Sequence, residues 1–180
     1  MKQIIKKQQD NILTQANSIK LILMDCDGVL TDGQIILLPD GEEIKNFHVL
    51  DGQGVALAKQ AGLKVGVISG RQSKVLTRRA KEGSYDFLFD KVSNKLAIYE
   101  NLLVETGLKD HEIAFIGDDL PDIAIMCRVG LAIAVANAVD EVKNQADLIT
   151  TRSGGQGAVR EAIEFILKSQ GLWQELIKKY

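Results

Sequence analysis

Short, continuous runs of apolar residues alternate along the chain with segments of helical periodicity. Runs bounded by Gly or Asp are typical of strands buried on both faces of a parallel sheet, and they occur at Leu21–Met24, Val65–Ile68, Ile113–Ile116 and Leu131–Val135. Tyr85–Phe89 is a further predicted strand, although Asp86 interrupts its apolar residues. The spacing between them predicts helices at Val55–Ala61, Lys74–Lys81, Leu96–Thr106 and Val159–Leu167. This repeated alternation indicates an α/β fold with a doubly wound, mostly parallel sheet.

One segment departs from the alternation. Gln34–Leu38 and Glu43–Val49 are β-like runs joined by the turn sequence PDGE, which predicts a β-hairpin directly after the first strand. No insertion large enough to form a second domain interrupts the predicted sheet. We therefore expect residues 19–170 to form a single domain, with an N-terminal helix or arm over residues 1–18 and a C-terminal tail over residues 171–180.

Composition narrows the class of protein. Hydrophobic residues make up 46% of the 180 residues and charged residues 26%, the balance of a folded globular protein. A formal charge of −2 favours neither nucleic acid nor a membrane surface as a partner. Cys26 and Cys127 lie in apolar runs, so we expect buried free thiols and, with no secretory signal at the start, a cytoplasmic location.

Two acidic clusters directly follow buried strands. The first strand runs into Asp25-Cys26-Asp27-Gly28, and Ile113–Ile116 runs into Gly117-Asp118-Asp119-Leu120-Pro121-Asp122. Because the carboxyl ends of parallel strands meet at one edge of the sheet, both clusters should face the same crevice. Converging carboxylates need a cation, and an all-oxygen set suits Mg²⁺ better than Zn²⁺. Taken alone, an Asp-x-Asp pair is as typical of a turn, in which the two aspartates cap the loop that follows, as it is of a functional site.

Two other strand ends carry groups suited to an anion. Ser69-Gly70-Arg71 offers a hydroxyl and backbone N–H groups ahead of a helix, which can form a phosphate cradle. Lys95 falls in the first turn of a predicted helix, where its charge opposes the helix dipole, so a nearby anion explains it better than helix stability does. The simpler alternatives are an ordinary helix cap at Ser69 and a solvated surface lysine.

Four segments resemble, in chain order, the four motifs of the haloacid dehalogenase-like phosphohydrolases, namely DCDGVLTDG, ISGR, Lys95 and GDDLPD. The match covers about residues 20–170. The hairpin and the lack of an inserted cap domain resemble the small capless branch of that family. The resemblance implies a phosphatase in which Asp25 is the nucleophile that forms an aspartyl-phosphate. Asp27 is then expected to be the general acid and general base.

The resemblance also implies the binding groups. Mg²⁺ is expected on Asp25, the backbone carbonyl of Asp27 and Asp118, with Asp119 and Asp122 as supports that orient waters or backbone. The transferring phosphoryl group is expected on Ser69, Gly70 and Lys95, where Lys95 also screens Asp25 from its acidic neighbours.

Two further runs, GEEIKNFHVLDGQG and SGGQGAVRE, resemble family members that act on acidic sugar phosphates. The resemblance implies 3-deoxy-D-manno-octulosonate 8-phosphate as substrate, in lipopolysaccharide synthesis. The expected substrate contacts are Asp27, His48, Val49, Leu50, Asp51, Gly52, Arg71, Arg79 and Arg160. The resemblance further implies a homotetramer in which the hairpin of one subunit covers the next subunit's site. The apolar run Ile35–Leu38 suits such an interface. The alternative is a hairpin that folds onto its own domain.

Leu50 departs from the family pattern for this substrate, which has an arginine at that place. An aliphatic side chain cannot pair with a carboxylate, so either another arginine compensates or the substrate is a different acid, with a nonulosonate 9-phosphate as the main alternative. A third interpretation is a non-catalytic module of the same fold. The intact set of Asp25, Asp27, Ser69, Lys95 and Asp118 argues against it.

Overall fold

The computed structural model describes residues 11–180. Within them the strands are β1 Leu21–Met24, β2 Ile36–Leu37, β3 Glu43–Ile44, β4 Lys64–Ile68, β5 Phe87–Phe89, β6 Ile113–Gly117, β7 Leu131–Ala134 and β8 Leu148–Ile149. The helices are α1 (residues 11–17), α2 Val49–Gln60, α3 Lys74–Glu82, α4 Lys95–Thr106, α5 Ile123–Met126, α6 Asp140–Lys143, α7 Ala158–Ser169 and α8 Trp173–Ile177.

Six strands form one parallel sheet in the order β5-β4-β1-β6-β7-β8, and β2 and β3 form a separate antiparallel hairpin. β1 pairs with β4 on one side and with β6 on the other, so the strand order reverses beside β1. Since parallel crossovers are right-handed, the helices after β1 and β4 lie on the opposite face from those after β5, β6 and β7. The reversal opens a crevice at the carboxyl ends of β1 and β6, where α/β sheets bind ligands.

The predicted α/β architecture is confirmed, and the apolar runs explain it. Every residue of β1, β6 and β7 is buried, because these inner strands are covered on both faces. β8 was not predicted, since a two-residue edge strand carries too little pattern. No helix among residues 11–180 has the length and apolar character needed to cross a membrane.

The boundaries around the hairpin differ from the prediction. The second arm, predicted as Glu43–Val49, ends as a strand at Ile44, and the helix predicted from Val55 begins at Val49. His48 Nδ1 accepts a hydrogen bond from the N–H of Leu50, so this side chain caps α2 earlier than the apolar spacing indicated. Glycines and a buried aspartate in the first turns of α2 had hidden its helical period.

The chain ends and the cysteines give mixed outcomes. Of the predicted N-terminal arm, residues 1–10 lie outside the described residues, and residues 11–17 form α1. The segment 171–180, predicted as a tail, contains α8, in which Leu176 is buried. Cys26 is a buried free thiol as expected, but Cys127 is exposed, because the short helix α5 ends immediately before it and turns it outward.

A loop between β8 and α7 braces the loop that follows β1. The N–H of Gly154 donates to Asn137 Oδ1 at 2.6 Å, and Asn137 Nδ2 donates to the carbonyl oxygen of Gly28 at 3.1 Å. A Cβ added to Gly154 would lie 1.7 Å from that same carbonyl oxygen. Glycine at position 154 therefore lets the two loops approach closely enough to fix the backbone after Asp25.

We predict that Gly154→Ala lowers the free energy of unfolding by about 2–4 kcal/mol, because the added methyl group meets backbone that cannot move aside. Gly70→Ala is the matched control: its Cβ would meet only the Val92 carbonyl oxygen at 3.7 Å. Urea denaturation of both variants measures the difference. Equal stability of the two variants would contradict the proposed bracing.

Candidate active site

The carboxyl ends of β1, β4 and β6 and the start of α4 line one cavity of about 510 Å³. Nine residues predicted for the site line this cavity, namely Asp25, Asp27, Ser69, Gly70, Arg71, Lys95, Asp118, Asp119 and Asp122. Because β4, β1 and β6 are neighbours in the sheet, residues that follow these strands converge although they are far apart in sequence. The structure thus brings the two acidic clusters and the two anion-binding segments together.

Lys95 lies between two carboxylates inside this cavity and is only 8% exposed. Its Nζ donates to Asp25 Oδ1 at 2.6 Å and to Asp122 Oδ1 at 2.7 Å. Asn94 caps α4 by accepting a hydrogen bond from the N–H of Ala97, which makes Lys95 the first residue of the helix. The anion that the position of Lys95 suggested is therefore this pair of carboxylates.

The carboxylates of Asp122 and Asp118 differ in their contacts. Asp122 Oδ2 accepts the N–H of Asp118 at 3.0 Å and that of Asp119 at 3.3 Å, so both oxygens of Asp122 are engaged. Asp118 Oδ1, in contrast, is buried without a hydrogen-bond partner. A Cβ at Gly28 (φ +96°) would lie 2.0 Å from Asp118 Oδ2, so glycine there leaves room for the Asp118 carboxylate.

The cavity carries more negative than positive charge. Burial, reinforced by the carboxylates of Asp25 and Asp122, raises the pKa of Asp118 to about 8. Burial also raises the pKa of Asp25, although the ammonium of Lys95 opposes it. For Lys95, burial alone would lower the pKa, but the two carboxylates outweigh it and raise the pKa. The charged Lys95 thus faces three carboxyl groups, and in the metal-free cavity Asp118 keeps its proton up to about pH 8.

This arrangement fits a hard divalent cation. Oxygens of Asp25, Asp118 and Asp122 all lie within 4.8 Å of one another. Since Asp122 is engaged through both oxygens, Asp25 and Asp118 are the carboxylates best placed to ligate a metal. The unpartnered buried oxygen of Asp118 and the excess negative charge are what a Mg²⁺ ion would satisfy.

The hairpin contributes two contacts that sequence reasoning missed. Lys45, just after β3, forms an ion pair with Asp27, and Glu43 Oε2 lies 3.2 Å from Nη2 of Arg71. The polar base of the hairpin therefore contacts the site of its own chain. The signal was present in the sequence: Glu43 and Lys45 flank Ile44, so both side chains lie on one face of the strand.

The remaining predicted substrate contacts do not line this cavity within one chain. Asp51 is 1% exposed, and its Oδ1 accepts the N–H of Arg160 at 2.8 Å, which ties α2 to α7. Val49, Gly52 and Arg79 line a second cleft of about 480 Å³. Leu50 and Arg160 line a third of about 200 Å³, together with Arg152. His48 caps α2, as described above.

Comparison with known proteins places these features in a family. Residues 68–163 match the family model of the haloacid dehalogenase-like hydrolases. The chain is 38% identical over 165 residues to the 3-deoxy-D-manno-octulosonate 8-phosphate phosphatase of Salmonella typhi, an alignment that covers 92% of this chain and 88% of the relative.

Solved structures agree with the sequence comparison. The 3-deoxy-D-manno-octulosonate 8-phosphate phosphatase of Moraxella catarrhalis, in complex with magnesium, phosphate and the sugar acid, superposes with a TM-score of 0.92 at 40% identity, covering 94% of this chain and 98% of that one. The phosphatase of the same type from Yersinia pestis gives a TM-score of 0.90 at 38% identity, with 92% and 89% covered.

We predict that the metal-free protein loses stability as the pH rises from about 4 to about 8, because a raised pKa of Asp118 makes the folded state hold a proton that the unfolded state has lost. Mg²⁺ should raise the melting temperature more at pH 8 than at pH 6, since at the lower pH it must displace that proton. Differential scanning fluorimetry with Mg²⁺ or EDTA measures both effects.

Asp118→Asn should remove the response to Mg²⁺ and stabilise the metal-free protein at pH 8 by at least about 1 kcal/mol, the equivalent of roughly one pKa unit. Asp119→Asn is the matched control, because Asp119 is exposed and an amide can still cap its turn. A Mg²⁺ response retained by Asp118→Asn would contradict this assignment.

Proposed function

The chain belongs to the haloacid dehalogenase-like hydrolases, and we propose that it is a Mg²⁺-dependent phosphatase that converts 3-deoxy-D-manno-octulosonate 8-phosphate to the free sugar acid and phosphate. One observation carries the proposal: Asp25, Asp27, Lys95 and Asp118 converge in one cavity of a chain whose relatives over nearly its whole length are phosphatases of this substrate. The same cavity offers Ser69 and the backbone of Gly70 at the end of β4 for a phosphoryl group.

The first chemical step is phosphoryl transfer to Asp25. A carboxylate oxygen of Asp25 attacks phosphorus, the bond from phosphorus to the sugar oxygen breaks, and the carboxyl group of Asp27 gives its proton to that oxygen. Lys95 holds Asp25 through the 2.6 Å contact and brings positive charge beside the group being transferred. Ser69, 2% exposed, supplies a hydroxyl at the end of the neighbouring strand.

The second step regenerates the enzyme. Asp27, now a carboxylate, takes a proton from water, the hydroxide attacks phosphorus, and the bond between phosphorus and Asp25 breaks to release phosphate. The second step thus restores the carboxylate of Asp25 and returns to Asp27 the proton that the first step consumed.

Asp25, Asp118 and the backbone carbonyl of Asp27 are the groups that would hold Mg²⁺. When bound, Mg²⁺ neutralises the charge that the phosphoryl oxygens bring into an already acidic cavity. Asp122 supports Asp118 through the backbone and Lys95 through its second oxygen, and Asp119 caps the turn between them.

Recognition of the sugar acid draws on arginines outside the carboxylate cavity. Arg152 and Arg160 line the same shallow cleft as Leu50, so a guanidinium group is available where Leu50 lacks one. Arg79 lies over the ring of Phe47 at 5.7 Å, in the cleft formed by α2 and α3. Guanidinium groups suit a planar carboxylate through bidentate pairing. The segment His48–Gly52 belongs to the same recognition surface.

The residues of these clefts would contact substrate in a homotetramer. In that assembly, the hairpin of each subunit covers the site of a neighbouring subunit. The side chains of Ile35, Ile36, Leu37, Leu38 and Ile44 are all exposed, and together they form an apolar patch at the hairpin tip. The base of the hairpin stays with its own subunit through the Lys45–Asp27 and Arg71–Glu43 contacts. The apolar tip can therefore cover the site of the neighbouring subunit while the base of the hairpin contacts the site of its own subunit.

The reaction serves lipopolysaccharide synthesis, in which this sugar acid is consumed, and takes place in the cytoplasm. The two free cysteines support a reducing compartment. The catalytic unit spans residues 19–170, with the hairpin as its flap and α8 packed on its surface.

We predict rapid, Mg²⁺-dependent phosphate release from 3-deoxy-D-manno-octulosonate 8-phosphate, and little from N-acetylneuraminate 9-phosphate or hexose phosphates. Asp25→Asn should lower turnover by at least about 1,000-fold, because an amide is not a nucleophile for phosphorus. Asp140→Asn is the matched control, an exposed acid of α6 outside the cavity. A phosphate-release assay with Mg²⁺ or EDTA measures the activity of the parent protein on each substrate and of both variants. Preference for the 9-phosphate would identify the chain as a nonulosonate 9-phosphate phosphatase.

The tetramer has its own test. Leu37→Glu in the hairpin should dissociate it to smaller species, because a carboxylate cannot be buried in an apolar interface. Val104→Glu is the matched control, since Val104 is an isolated exposed apolar residue of α4. Light scattering coupled to size-exclusion chromatography gives the masses. A monomeric parent, or an unchanged mass for Leu37→Glu, would refute the proposed assembly.

A further inference from the structure

Lys45 is a buried cation whose ion-pair partner is the proposed general acid and base. Its side chain is 3% exposed, although the hairpin around it is largely open to solvent, and its Nζ donates to Asp27 Oδ1. The Asp27 side chain is 20% exposed and lines the cavity. A lysine loses conformational freedom and hydration when it is buried in this way, so the contact at Asp27 must be what retains it.

Strand β3 holds Lys45 in this place at two points. Residues 43 and 45 point to the same face of an extended strand, and Glu43 on that face contacts Arg71, which follows β4. Ile44 points the other way and is exposed. The hairpin is therefore tied to the carboxyl ends of two neighbouring strands, by one ion pair to the loop after β1 and by another to the loop after β4.

We propose that Lys45 is a positioning residue for Asp27, fixing its carboxyl group for proton transfer in both chemical steps. This inference rests on the function proposed above. Each reacting carboxylate then has its own buried lysine: Lys95 for the nucleophile Asp25, and Lys45 for the acid and base Asp27. Without Lys45, the Asp27 side chain has no other side chain among residues 11–180 with which it forms a hydrogen bond or an ion pair.

A role in holding substrate fits the structure less well. The Lys45 side chain is buried and engaged with Asp27, and it does not line the cavity in which Ser69 and Lys95 are proposed to bind the phosphoryl group. A positioning role makes a different kinetic prediction from a binding role, because it affects only the steps that need Asp27.

The test compares two leaving groups in Lys45→Met. p-Nitrophenyl phosphate leaves as a stable phenolate that needs no proton, so its single-turnover release with enzyme in excess should stay within about twofold of the parent. Hydrolysis of the phosphoenzyme still needs Asp27 as base, so steady-state turnover should fall about 10- to 100-fold and a burst of nitrophenolate should appear. Single-turnover release of the sugar acid from its 8-phosphate should fall by a similar factor.

Lys45→Arg keeps a cation at this place and should recover most of the lost turnover. Lys20→Met is the matched control, since it removes a lysine ion pair, to Glu112, at the opposite end of β1. Thermal melting of every variant checks folding. In an Asp27→Asn background, Lys45→Met should cause no further loss, because its effect passes through the Asp27 carboxyl group.

Four results would overturn the inference while leaving the proposed function intact: unchanged steady-state turnover, a raised KM with unchanged kcat, an equal loss for nitrophenolate release and for turnover, or a full additional loss in the Asp27→Asn background. A parent protein that hydrolyses neither substrate would instead overturn the proposed function, and this inference with it.

Discussion

Three carboxyl groups, those of Asp25, Asp118 and Asp122, lie close together beside the single ammonium of Lys95 at the carboxyl ends of β1 and β6, and this excess of acidic groups governs the site. Lys95 balances part of it through Asp25 and Asp122, but Asp118 keeps a buried oxygen without a partner. The fold tolerates this unfavourable arrangement because β1 and β6 are fully buried and each is hydrogen-bonded to a strand on both sides. A site that is destabilising when empty binds a divalent cation and a phosphoryl group more readily, since both relieve the imbalance.

The hairpin would connect catalysis to the proposed assembly. Its polar face contacts Asp27 and Arg71 of its own chain, and its apolar tip is exposed. In the proposed tetramer, the hairpin of a neighbouring subunit would limit the access of water to the reacting groups. Because one two-stranded element carries both faces, assembly into a tetramer would also hold the proposed general acid and base in place.

The sequence predicted the sheet and most of the cavity, because both depend on local signals. Apolar runs fix the inner strands, and the parallel topology brings residues at strand ends such as Asp25, Ser69 and Asp118 to one edge. Contacts that depend on tertiary packing were not predictable in this way. From the sequence, Lys45 resembles a solvent-exposed hairpin lysine, and only the fold places Asp27 against it. His48 lies in a segment predicted as a strand, whereas in the structure it caps α2.

In the proposed reaction, Asp25 carries the phosphoryl group between the two chemical steps. Rapid acid quench of a single turnover with ³²P-labelled sugar phosphate, followed by peptide mapping, measures this directly. We expect transient label on the peptide that contains Asp25, formed before free phosphate and lost on the time scale of turnover. Phosphate release without label on that peptide, or label on another residue, would contradict it.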